Sequence, residues 1–274
     1  MTMADPITDA LRAACGAAET LDLAEVALLL GALDRRGTDL GPYRAHLADI
    51  ARTIRDRRTS ADAHIRREVL SDVIHGEFAY TGDGDVFEAP ENANMLDVID
   101  RRVGLPVALG ILYLHAARAA GWTAYGINFP GHFLVQVEGD TDAAMLDPFS
   151  GGRAMEPADL YSILRRLMGP GAKLEEEHLA SVRDRSVLIR LLSNLKARAL
   201  RSGDTTRALE LLDRMCVIAP ADAGLLYEQG TILNRAGSPM AAKSKFEAAV
   251  EVDPKGPVAG LAAQSLSSVK STLN

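Results

Sequence analysis

The chain has 274 residues, 47% of them hydrophobic and 24% charged, with a formal net charge of −7. That length suits one large or two ordinary domains, and the composition excludes a disordered chain. The acidic balance argues against non-specific nucleic-acid binding, which needs a surplus of available cations.

Aromatic residues make up only 5%, while Ala, Leu and Arg are plentiful. That mix favours helix, because these side chains lose little rotamer freedom there. Cys15 and Cys216 lie too far apart to suggest a disulfide framework. The N-terminal stretch carries Asp5 and Asp9 and lacks the charged-then-apolar pattern of an export signal. No apolar run reaches the roughly 20 residues that span a bilayer. The expected location is the cytoplasm, with no membrane association.

Residues 6–35 read as one or two helices, with Leu11, Ala14, Ala18 and Leu21 at helical spacing and Ala24, Leu28 and Leu29 continuing beyond Leu23. After a break at 38–41, Pro42 opens a helix whose apolar face carries Tyr43, Leu47, Ile50 and Ile54. Its basic end, residues 52–58, reads as a solvated face with partners at i,i+4 rather than a phosphate groove. Ser60 is the expected N-cap of the next helix, with Ile65, Val69 and Val73 inward. Residues 80–94 are rich in Gly, Asp, Glu and Asn and form a loop, with a short strand at Val86 and Phe87.

The helical pattern returns at Met95 and is interrupted by Gly104, Leu105 and Pro106. A strongly apolar helix then covers 107–120 and ends at Gly121. Two strands follow, at 123–129 and 133–138, around Pro130 and Gly131. A hairpin connection at 139–142 leads to a third that ends at Asp147. Many helices and few antiparallel strands make an α+β domain, closed by Gly151 and Gly152.

The last third is helical and repeats itself. Gly203 and Gly237, Ala208 and Ala242, Leu212 and Phe246, and Pro220 and Pro254 each keep an offset of 34. Gly permits the turn between helices, Ala their close approach, and Pro stops the second helix, which is the tetratricopeptide pattern. A third unit upstream is not evident: Gly169 keeps the period, but Leu174 stands where Ala is required. Residues 257–272 read as a capping helix. Gly, Pro and a charge run in 170–185 suggest a boundary, giving domains 1–180 and 181–274.

The segments NANMLDVIDRRVGLPVALGILYLHAARAAGW, INFPGHFLVQVE and MLDPFSGG resemble the SirB1 family over about residues 40–255. The resemblance implies a helix-rich, papain-like transglutaminase fold with a small antiparallel sheet, followed by an all-α tetratricopeptide-like repeat. In that fold a Cys at a helix N-terminus, a His on one strand and an Asp on the next form a triad. The helix end lowers the thiol pKa, the His takes the proton and the Asp orients the imidazole.

The resemblance puts His132 and Asp147 at the His and Asp positions. The Cys is missing. Leu105, Pro106 and Val107 occupy its place, and no Ser, Cys or Thr lies between Asn92 and Trp122. Cys15 and Cys216 read as packing residues in small, apolar surroundings. His132 and Asp147 are then either a buried polar pair or a vestigial cleft that still binds. Asp97 and Arg101 stand at i,i+4 and suit a local pair. Alternatively, Asn94 and Arg101 sit at the mouth of the cleft, where Arg recognises a carboxylate or phosphate. His115, His132 and Asp147 show no metal-ligand spacing, and no phosphate-binding Gly motif occurs, so no metal or cofactor is expected.

The expected function is therefore a non-enzymatic, regulatory interaction protein, a pseudoenzyme whose C-terminal repeat takes a protein or peptide partner. Two alternatives stand beside it. One is a hydrolase or acyl transferase that uses His132 and Asp147 as a base without a covalent step. The other is a structural scaffold, a homodimer or larger homo-oligomer formed through the exposed ends of the repeat.

Overall fold

A computed structural model of the chain describes residues 5–57, 60–84 and 89–273. The strand expected at Val86 and Phe87 lies outside the described residues. The chain divides into two units, residues 1–191 and 192–274.

The first unit begins with α1 (Pro6–Ala14), α2 (Leu23–Ala32), α3 (Gly41–Asp56) and α4 (Ala63–Ser71). The 6–35 stretch is thus two helices. Asp5 caps the first and Asp22 the second, each accepting from a backbone N–H of the opening turn. Almost all of α2 is buried, as expected of a helix that is apolar on every side. Helix α3 buries Leu47, Ile50 and Ile54, and its Arg52 pairs with Asp49 in solvent.

Two expectations fail at α4. Its N-cap is Asp62, which accepts from the N–H groups of His64 and Ile65. Ser60 instead accepts from Asp62 N–H. Ile65 faces solvent, while Ala63, Leu70 and Val73 are buried. The hairpin after the second strand decides this. Both carboxylate oxygens of Asp142 accept from Ala63 N–H at 3.1 Å, Asp140 N–H donates to the Ala61 carbonyl, and Arg66 donates to the Glu138 carbonyl. Those contacts fix which face of α4 turns inward. A π-helical turn, Asp72–Glu77, continues α4.

A 3-10 turn, Pro90–Ala93, precedes α5 (Met95–Arg101), and α6 (Pro106–Ala119) follows. Pro106 is at the first position of α6, where its missing N–H and fixed φ cost nothing. Helix α6 is the centre of the unit, with nearly every side chain from Val107 to Ala117 buried.

The sheet has five antiparallel strands in the order β4-β3-β2-β1-β5. They are β1 (Ala124–Ile127), β2 (Leu134–Glu138), β3 (Ala143–Asp147), β4 (Arg153–Ala154) and β5 (Ser181–Val182). The first three are the expected strands, trimmed at their ends. The last two are two-residue edges that no hydrophobic pattern marks. One face of the sheet packs on α6: Phe133 lies between Gly110 of α6 and Gly126 of β1. On the other face, Leu134, Ile127 and Phe129 pack with Leu160, Ile163 and Leu164 of α7 (Pro157–Met168). The segment after α7 returns to the sheet as β5, which is why the first unit extends beyond residue 180.

Helix α8 (Asp184–Arg201) starts in the first unit and continues into the second, which also contains α9 (Thr205–Ile218), α10 (Ala223–Arg235), α11 (Pro239–Val252) and α12 (Ala259–Leu273). The period of 34 is realised as expected. Gly203 and Gly237 take φ of 78° and 75° at equivalent turns. Ala208 and Ala242, and Leu212 and Phe246, are buried at equivalent helix positions. Phe246 packs on Gly230 and lies 5.7 Å from the Tyr227 ring, centroid to centroid. The fold is therefore a transglutaminase-like α+β domain followed by a tetratricopeptide-like helical repeat.

Candidate functional site

The residues that the resemblance singles out lie at the start of α6, just before β2 and at the end of β3. Leu105 and Val107 are buried and Pro106 is partly exposed, so the start of α6 offers carbon where the triad would need sulfur. Leu105 N–H is tied to the Asn92 carbonyl at 2.8 Å.

His132 stands immediately before β2. Its backbone N–H donates to the Phe129 carbonyl, and its carbonyl accepts from Arg190 at 3.1 Å. Its ring Nδ1 is buried without a hydrogen-bond partner. The side chain that reaches α6 belongs to Phe133, the next residue.

Asp147 ends β3, and both its oxygens are engaged locally. Oδ1 accepts from Phe149 N–H at 2.9 Å and Oδ2 from the Ser150 hydroxyl at 2.7 Å, capping the 3-10 turn Pro148–Ser150. No hydrogen bond joins Asp147 to His132. The His–Asp pair expected as one unit is thus two separately anchored residues.

The rest of the DPFSGG stretch is held just as firmly. Gly151 and Gly152 take φ of 66° and 79°. Their carbonyls accept from the Ser71 hydroxyl at 2.6 Å and from Arg67 at 3.1 Å. A Cβ on Gly152 would stand 2.8 Å from the Tyr113 hydroxyl oxygen, besides requiring a left-handed backbone. Gly152→Ala is therefore expected to lower stability by about 1–3 kcal/mol, read as a shifted denaturation midpoint. A neutral result would mean that this loop relaxes freely.

Asn94 and Arg101 also find internal partners. Asn94 is buried and caps α5 through Leu96 N–H, while its amide donates to the Gly31 carbonyl at 3.2 Å. It pins α5 to α2 and is not open to a ligand. Arg101 is exposed but donates to the Asn92 side chain at 2.9 Å. The local Asp97–Arg101 pair is not formed. Asp97 accepts instead from Arg35, which also bonds Asp100, because the turn after α2 brings Arg35 beside the acidic edge of α5. His115 Nε2 is 3.2 Å from the Leu47 carbonyl oxygen, so this ring ties α6 to α3.

Both cysteine thiols are held above their ordinary pKa. Burial pushes the Cys15 thiol up, partly offset by Arg185. Burial pushes Cys216 up to about 11, and its thiol faces the buried Gln229. A nucleophile needs the opposite shift.

A second polar constellation stands at the approach to α6, and the sequence did not announce it. His46 of α3, Tyr80 of the loop and Arg102 at the end of α5 meet there. His46 Nε2 lies 2.7 Å from the Tyr80 hydroxyl, and Arg102 Nη1 lies 3.0 Å from that nitrogen and 2.7 Å from that hydroxyl. The Arg102 guanidinium stacks over the Tyr80 ring at 4.9 Å. His75 Nδ1 bonds the Tyr80 carbonyl at 2.9 Å.

Burial first and Arg102 second hold the His46 pKa down, with Asp49 opposing. Burial raises that of Tyr80. The backbone here is unusual. Arg102 and Ala79 have φ of 61° and 58°, the two positive-φ non-glycine residues described, and the π-helical turn ends two residues before Ala79. Strain and π-helical turns concentrate at functional sites. The residues are scattered along the chain, so no local spacing could have revealed them.

Among the described residues no group of three or more His, Cys, Asp or Glu is arranged to hold a metal. No helix among them is long and apolar enough to cross a membrane.

Comparison with known proteins agrees with this architecture. A "UPF0162 protein" of Vibrio cholerae serotype O1 is 29% identical over 248 residues, covering 89% of this chain and 90% of that protein. A "UPF0162 protein" of Xylella fastidiosa is 27% identical over 217 residues, 77% of each chain. Part of "F-box only protein 21" of Mus musculus is 26% identical over 176 residues, 60% of this chain but 27% of that protein. A family model described as tetratricopeptide repeat matches residues 195–267, and one described as transglutaminase-like superfamily matches residues 41–193. With a buried helix opening onto a small antiparallel sheet and over half its length matched, this chain belongs to the transglutaminase-like superfamily.

Proposed function

We propose that the protein is a non-enzymatic, regulatory interaction protein of the cytoplasm, with a partner-binding helical repeat and a transglutaminase-like cleft that lacks acyl-transfer chemistry. The observation that carries this reading is the start of α6, where Leu105, Pro106 and Val107 supply no nucleophilic atom. Covalent acyl transfer needs one at that helix end. The engagement of both Asp147 oxygens within their own turn supports the same reading, because an orienting carboxylate must reach the imidazole. Tetratricopeptide repeats generally present a groove to a protein or peptide partner, and the match over residues 195–267 supports a binding role for this one.

Affinity capture from a cell lysate tests the proposal. The whole chain is compared with His132→Ala and with a chain ending at residue 191. Loss of a partner on truncation alone, with no turnover of amide, ester or isopeptide substrates by the whole chain, is the expected result. Turnover that His132→Ala abolishes in a folded protein would replace this reading with hydrolysis by general base catalysis.

A further inference from the structure

The His46–Tyr80–Arg102 junction holds together segments that approach α6 from three directions. Arg102 carbonyl accepts from Thr81 N–H at 2.9 Å, and Gly104 N–H donates to the Thr81 carbonyl at 3.3 Å. Thr81 and Val103 thereby form a short parallel bridge. Gly82 N–H donates to the Phe149 carbonyl, and Phe149 packs against Gly82. The segment held in this way leads through Gly104 and Leu105 directly into Pro106. Arg102 keeps a left-handed backbone in order to reach inward, a conformation that costs roughly 1–3 kcal/mol and persists only while surrounding bonds hold it.

The chemistry of the junction favours a neutral His46. A guanidinium can only donate hydrogen bonds. With Arg102 Nη1 3.0 Å from His46 Nε2, a neutral ring carrying its proton on Nδ1 is the form that sets no N–H against the cation. The Tyr80 hydroxyl lies 2.7 Å from the same nitrogen and accepts from Arg102 Nη1, which also donates to the Ile99 carbonyl. The ring is also packed edge-on against Phe78 at 5.4 Å.

A second proton on His46 would turn an N–H toward the Arg102 cation and remove the acceptor. The groups facing His46 are Arg102 at the end of α5, Tyr80 in the loop and Asp49 on its own helix; Asp100 of α5 acts on Tyr80. Asp49 is the only one of these that favours a charged ring directly, and it also accepts from Arg52.

We propose that this junction is an acid-released latch: protonation of His46 frees Arg102 and loosens residues 80–84 and 102–105 at the entrance to α6. The inference goes beyond the partner-binding reading and does not depend on it. The direction follows from linkage. A histidine whose pKa is depressed in the latched state stabilises that state fully above the ordinary value of about 6.5, and the contribution is lost as pH falls through the depressed one.

Hydrogen–deuterium exchange of the whole chain at about pH 8 and about pH 5, corrected for intrinsic exchange, tests it. In the wild type, exchange in residues 80–84 and 102–105 is expected to rise on acidification. The rise should be about tenfold for each unit separating the His46 pKa in the open and latched states. His46→Gln keeps an acceptor but cannot titrate, so its exchange in those segments should not respond to acid. A pH-independent wild type, or the same acid response in His46→Gln, overturns the proposal. Should that variant fail to fold, the ring resonances of wild-type His46 decide. Titration below about 6.5 supports the latch, and titration at or above it overturns the proposal.

Discussion

Phe133→Ala is expected to cost about 3–5 kcal/mol, among the largest losses that a single truncation in this chain can produce. Phe133 is only 1% exposed and fills the gap between helix α6 and strand β1. Two glycines make that gap. An added Cβ on Gly110 would fall 2.4 Å from the Phe133 ring, and one on Gly126 would fall 2.6 Å from it. Removing the ring leaves a cavity between helix and sheet that neither glycine can fill.

The converse change tests the same contact. Gly110→Ala forces overlap, costing about 1–3 kcal/mol, against a gain of at most about 1 kcal/mol from helix propensity. In a Phe133→Leu background the overlap shrinks, so Gly110→Ala should be clearly less harmful there. Denaturation of the two single variants and the double variant gives the coupling. Strict additivity would mean that Phe133 and Gly110 do not share this gap.

Asp184→Asn is the second large effect. Asp184 is 6% exposed and receives both terminal nitrogens of Arg118 at 2.9 Å, one on each oxygen. It also accepts from Leu21 N–H at 2.9 Å. One carboxylate thus joins α6, the segment leading into α2 and the start of α8. Neutralising it leaves the Arg118 charge partly buried with no counter-charge, held by the Ala124 carbonyl and at most one amide oxygen. Breaking a buried pair from one side costs about 3–5 kcal/mol, and the remaining solvent access of Arg118 places the expectation near the lower end, about 3 kcal/mol.

Exposed pairs behave differently. Arg12 and Asp9 meet at 2.9 Å but are more than half exposed on both sides, so Asp9→Asn should change stability by less than about 0.5 kcal/mol. Chemical denaturation measures both substitutions. An Asp184→Asn variant within about 1 kcal/mol of wild type would show that this junction does not organise the first unit.

The residues that hold the domain together are glycines, an aromatic wedge and a buried ion pair. The positions that the resemblance equates with a triad stand at turns. Asp147 caps one turn, and His132 lends its carbonyl to Arg190.

Much of this protein was legible in the sequence, for a definite reason. Helical periodicity, proline at helix starts and a repeat of 34 residues are local properties. They placed the apolar helix after Gly104, the three main strands, the left-handed turns at Gly203 and Gly237, and the buried Ala208 and Ala242. The lack of Ser, Cys or Thr between Asn92 and Trp122 is equally plain, since it is a matter of composition alone.

What the sequence could not supply depended on contacts between distant segments. Ile65 was placed inward by spacing, but the hairpin at Asp140 and Asp142 fixes α4 the other way. Strands β4 and β5 have two residues each and exist because a neighbouring strand accepts them. Asp97 had an i,i+4 partner in Arg101, yet Arg35 arrives from the turn after α2 and takes it. His132 and Asp147 matched a pair by position, while the hydrogen bonds of each run to its own neighbours. His46, Tyr80 and Arg102 carry no spacing signal at all. Only the packing of α3, the loop and the end of α5 brings them within hydrogen-bonding distance, because side-chain chemistry at a junction is set by which elements meet there and not by their order along the chain.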